Sequence, residues 1–104
     1  MGGPFRVTAQ GFERQMATNH LGHVALVVAL WPVLHASAAR VVVMASTEAR
    51  DGQLSPQMTR EQMLNPVPYD GRQVYRNTKQ ATWNFPGRSY RCRAGVRASC
   101  GCGR

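Results

Sequence analysis

The chain has 104 residues, with 13 lysines and arginines against five acids, for a net charge of +8. This length bounds it to one small domain, and an odd cysteine count behind an N-terminus with no apolar leader argues against a secreted disulfide scaffold. The charge is uneven: residues 1–85 hold eight basic and five acidic side chains, whereas residues 86–104 hold five arginines, no acid, and all three cysteines, Cys92, Cys100 and Cys102. We expect a cytoplasmic protein.

Residues 1–8, with Gly2, Gly3 and Pro4, read as an irregular lead-in, and Thr8 is placed to cap a helix. From about Ala9 to Ala36 apolar residues recur at threes and fours (Phe12, Met16, Leu21, Val24, Val27, Val28, Leu30, Leu34), which predicts a helix. Its most apolar run, Val24 to Leu34, is 11 residues. A bilayer span takes about 20, so a buried helix and no membrane segment is expected. Pro32 is expected to kink or end it. Arg40 to Ala45 is a β-branched run without polar alternation, as in a strand buried on both faces of a parallel sheet. Residues 47–71 read as a long polar loop, within which Thr59 and Gln62 fit a capping box for a short turn to Leu64. A second helix is predicted from Arg72 to about Phe85, stopped by Pro86-Gly87, and the tail beyond is expected to be disordered.

The chemistry-bearing feature is Tyr75 followed four residues later by Lys79, the only lysine in the chain. At that spacing the two share a helix face. The ammonium favours the phenolate and tunes the tyrosine toward passing a proton to or from a carbonyl or alcohol oxygen. A solvated surface pair is the bland alternative. Asn19 lies mid-helix, where a buried polar group or a bend is the ordinary role. Ser46 follows the strand, where a turn or cap residue is ordinary but where side chains also face the ligand crevice of a parallel sheet. His20 and His23 have no third ligand at suitable spacing, and Cys100-Gly-Cys102 is too tight for a zinc-ribbon half, so no metal site is expected.

In this order and on these elements, Asn19-His-Leu-Gly22-His, Ser46 and Tyr75-Arg-Asn-Thr-Lys79 resemble the central part of a short-chain dehydrogenase/reductase. The closest likeness is to the retinol-dehydrogenase-like subgroup, through Gly11-Phe-Glu and Asn65-Pro-Val-Pro-Tyr-Asp-Gly. The resemblance runs from about residue 4 to about 81. It implies a helix–strand–loop–helix fragment of an α/β, Rossmann-type doubly wound parallel sheet. It also implies a carbonyl or alcohol substrate and hydride exchange with NAD or NADP. Tyr75 matches the general acid/base. Lys79 matches the lysine that lowers the tyrosine pKa, and with Tyr75 it contacts the nicotinamide ribose. Ser46 matches the donor to the substrate oxygen, and Asn19 the residue supporting a proton-relay water. Ala45 and Thr78 stand where serine is commoner in the family.

The glycine-rich turn that holds the dinucleotide in that family has no counterpart in this chain. We therefore expect residues 1–81 to be a partial catalytic segment, inactive alone, and isolated residues 1–104 not to form a stable domain that binds NAD(P). From Thr82 the chain departs from the family's Asn-Leu-x-Phe-x-x-Glu-Leu continuation, and that pattern is recoverable in another reading frame. Residues 82–104 are accordingly read as a frameshifted, disordered tail and the chain as a truncated remnant. The alternatives are a two-chain reductase completed by a separate nucleotide-binding polypeptide, and a nucleic-acid-binding peptide driven by five tail arginines. The latter has little support without a fold module, so no specific nucleic-acid partner is expected.

Overall fold

The computed structural model describes residues 2–85 and the backbone of 89–91. The elements run α1 (Arg14–Ala36), β1 (Arg40–Val42), a 3₁₀ turn (Thr47–Asp51), α2 (Arg60–Leu64), α3 (Gly71–Asn84) and β2 (Ser89–Arg91). The buried centre lies where the start of α1, the 3₁₀ turn and α3 meet. Glu13, Met16, Ala49, Val74, Thr78 and Thr82 are its buried residues.

α1 starts later than its apolar period implies. Thr8 caps no helix. Its hydroxyl instead accepts from Phe12 N at 3.2 Å while Gly11 N donates to Thr8 O at 2.9 Å, closing a turn. Gly11 sits at φ +81°, a conformation open to glycine at little steric cost. Glu13 is the actual cap: its carboxylate accepts from Met16 N at 2.8 Å. Within α1, Ala17–Leu21 is π-helical, a widened turn that recurs at functional sites, and it carries Asn19. Pro32 does not end the helix, which continues to Ala36 at the loss of one backbone donor.

The expectation of a buried helix is not met. No residue of Gly22–Ala36 is buried, and Leu26, Val28, Leu30, Trp31 and Val33 are 41–68 % exposed. By length and composition, the 23 residues Arg14–Ala36 are enough to cross a membrane, because uncharged helical residues extend the 11-residue apolar run at its N-terminal side.

The strand differs likewise. β1 is three residues, with Arg40 and Val42 exposed, and it pairs antiparallel with β2, Val41 opposite Tyr90. A strand's amides and carbonyls need partners, and among the described residues Ser89–Arg91 supplies them, so that this part of the expected disordered tail is ordered backbone. Residues 86–88 and 92–104 of that tail lie outside the described residues. α3 also crosses the expected boundary at residue 82. Thr82 is buried, and its hydroxyl donates to Thr78 O at 2.9 Å.

The long loop is more structured than its composition implies, holding the 3₁₀ turn as well as α2. The α2 capping box forms as predicted, with Thr59 and Gln62 exchanging hydrogen bonds at 3.2 and 2.9 Å. α3 begins where Asp70 accepts from the amides of Arg72 and Gln73 at 2.9 and 3.3 Å.

Candidate functional site

α3 presents three stripes. Val74, Thr78 and Thr82 recur every four residues and form the buried stripe. On a second, Gln73, Arg76, Asn77 and Gln80 hold the 3₁₀ turn and the residues after it. Arg76 pairs with Glu48 at 2.8 Å, Asn77 accepts from Gln53 N at 2.9 Å, and Gln80 brackets Leu54 through both its backbone groups. The hydrogen bond from Arg76 holds the Glu48 carboxyl below its ordinary range. Gly52 lies so close that a Cβ there would meet Gln80 atoms at 2.5–2.9 Å. The third stripe carries Tyr75 and Lys79. The Lys79 ammonium stands 5.7 Å from the Tyr75 ring centroid, within cation–π range, so the four-residue spacing brings the pair together.

Asn19 reaches α3 from the π-helical turn. Its side-chain nitrogen donates to Thr78 Oγ1 at 3.2 Å, and the same hydroxyl donates to Tyr75 O at 2.7 Å. A hollow of about 310 Å³ lies beside this contact, lined by Arg14, Gln15, Thr18, Asn19 and Tyr75 together with Gly2 and Gly3. Tyr75 also lines a neighbouring hollow of about 260 Å³ with Glu48 and Arg72. Asn19 and Tyr75 thus share a wall, whereas Ser46 and Lys79 are not among the residues lining either hollow. Ser46 caps the 3₁₀ turn, its Oγ accepting from Glu48 N at 3.3 Å.

Two segments distant in sequence meet behind the hollow. Tyr69 OH donates to the buried Glu13 carboxylate at 3.0 Å, and Gln15 donates to Tyr69 OH at 3.1 Å and to Gly71 O at 2.9 Å. Burial raises the Tyr69 pKa, with Glu13 adding to the rise. Gly71 is packed against the backbone of Gly3, where a Cβ would come within 2.7 Å of its carbonyl oxygen. Sequence reasoning missed Glu13, Gln15, Tyr69 and Thr78 as site supports. Thr78 lies inside the Tyr75–Lys79 motif, the segments containing Glu13 and Tyr69 stood out only through the resemblance, and Gln15 had no signal.

The phosphates of a dinucleotide dock on free amides at a helix N-terminus. Among the described helix starts, Glu13 takes the Met16 amide, Asp70 those of Arg72 and Gln73, and Thr59 that of Gln62. Among the described residues no cluster of three His, Cys, Asp or Glu side chains is placed to hold a metal ion.

The comparisons with known proteins add no relationship: no family model, no curated protein and no solved structure matches the chain.

Two results are expected here. Thr78→Val keeps the shape of a fully buried side chain but strands the Asn19 amide. It should weaken the α1–α3 contact by about 1–2 kcal/mol, seen as roughly 5- to 30-fold faster amide exchange in α3; unchanged exchange would show that the bond carries no stability. The second concerns His20, whose pKa is depressed below 6.5 by burial and then by His23. The unfolded chain therefore takes up the proton first as pH falls below 6.5, and stability declines through that window to a floor below the folded pKa. Urea midpoints should drop as pH falls below about 6.5, and His20→Gln should flatten this fall.

Proposed function

We propose that residues 1–81 supply the proton-transfer part of a reductase similar to the short-chain dehydrogenases, acting on a small carbonyl or alcohol and built on the central segment of a Rossmann-type doubly wound sheet. The observation that carries this is the convergence of Asn19 and Tyr75, from different helices, on one hollow, tied together through Thr78. The Glu13–Tyr69 bond adds support, because it joins two of the segments that carry the resemblance.

The chain's own residues then act as follows. Tyr75 gives its phenolic proton to the substrate oxygen as negative charge grows there, with the Lys79 ammonium over its ring. Ser46 Oγ accepts the capping bond at the 3₁₀ turn and lines neither hollow, so its part as a donor to the same oxygen rests on the resemblance alone. Asn19 keeps one N–H beyond its bond to Thr78, for a water that returns the proton. NAD or NADP, the hydride donor of such reductases, has to be held outside the described residues. The exposed apolar face of α1 supplies area for a nucleotide-binding half to cover.

The test mixes the full chain with a separately produced glycine-rich half of a retinol-dehydrogenase-like reductase. NAD(P)H-dependent carbonyl reduction should appear only in the mixture. Cofactor binding and turnover by the chain alone, or a cofactor-loaded mixture inert to a panel of aldehydes and ketones, would overturn the proposal.

A further inference from the structure

The larger hollow beside Tyr75 carries a charge that proton transfer does not use. Arg14 stands on its wall, and each acid of the described residues is engaged elsewhere. Glu13 serves Met16 N and Tyr69 OH. Glu48 and Asp51 lie against Arg76, Glu61 accepts from the Asn65 amide, and Asp70 caps α3. No acidic residue lines the hollow, where Arg14 is joined by Gln15, Thr18, Asn19 and Tyr75. The neighbouring hollow differs, because there Arg72 shares the wall with Glu48. One side of Tyr75 is thus lined by uncharged polar residues and a cation, the other by charges of both signs.

We propose that the hollow lined by Arg14, Thr18, Asn19 and Tyr75 takes a small carbonyl compound that also bears a carboxylate, the carboxylate against Arg14 and the carbonyl oxygen toward Tyr75. A planar guanidinium matches a carboxylate through two parallel hydrogen bonds. The volume of about 310 Å³ is at the low end for small-molecule sites and restricts the ligand to a compact one. Arg14 is exposed, so the attraction is modest and screened by salt. The carbonyl end rests on the proton-transfer reading of Tyr75; the carboxylate end rests on Arg14 alone.

The experiment titrates the isotopically labelled full chain with 4-oxobutanoate and with its uncharged methyl ester, following amide shifts. Saturable shifts across residues 14–19 and at Tyr75 are expected for the acid. Affinity should be roughly tenfold weaker for the ester and for Arg14→Gln, should fall as salt rises, and should be unchanged in Arg50→Gln. Equal affinity for acid and ester, an indifferent Arg14→Gln variant, or no saturable shift would each overturn the proposal. The two readings fail separately. In the completed enzyme, turnover that needs Tyr75 but ignores Arg14 would reject the substrate class alone, and carboxylate binding that needs Arg14 without any turnover would reject the proton-transfer reading alone.

Discussion

In an assembly completed with a nucleotide-binding half, Tyr75→Phe should lower the turnover of carbonyl reduction by about 10²–10⁴-fold, the usual contribution of a positioned acid. The substitution removes one oxygen from a ring that is only partly buried and forms no hydrogen bond to other described residues through that oxygen. Packing is therefore spared, and the effect falls on kcat with little change in fold. Lys79→Met should act in the same direction, since it removes the cation 5.7 Å from the Tyr75 ring while keeping a long apolar stem. The readout is steady-state NAD(P)H oxidation in the mixture. A Tyr75→Phe assembly with unchanged kcat would remove the tyrosine from the chemistry.

Glu13→Ala should be the most damaging substitution to the fold around the site, costing about 2–4 kcal/mol. The side chain is 1 % exposed and performs two tasks at once. One oxygen caps α1 through Met16 N; the other accepts from Tyr69 OH, which anchors the segment leading into α3. Alanine strands both donors and leaves a void between them. Amide exchange should accelerate at Met16 and in the first turn of α3 together, because one residue restrains both. Acceleration at Met16 alone would show that Glu13 is a local cap without a role in the site.

The parts of this arrangement legible in the sequence are those governed by short-range spacing. Tyr75 and Lys79 meet because four residues make about one helical turn, and Thr59 and Gln62 close a capping box because both partners lie within one turn. The start of α1 was not legible. Thr8 is a common cap residue, but Gly11 let the chain fold back, and the cap passed to a glutamate whose second oxygen is fixed by Tyr69, far along the chain. The π-helical turn at Asn19 did have a signal in the sequence: the apolar spacing widens to five residues from Met16 to Leu21, across that turn. The pairing of β1 depends on which extended segment is nearby, and a run of valines does not specify that. Arg14 belongs to no motif. Its place on the hollow follows from α1 beginning one residue after Glu13, a consequence of the missed cap.

The assignment of proton transfer to this chain and hydride donation to another region is tested most directly by separating cofactor binding from turnover. NADPH should be titrated, by fluorescence, into mixtures of the complementing half with the wild-type chain and with Tyr75→Phe, and oxidation with a carbonyl substrate followed in the same samples. The account predicts that both mixtures bind NADPH alike and that only the wild-type mixture oxidises it. Equal oxidation by the two, or tight NADPH binding by the chain on its own, would contradict it.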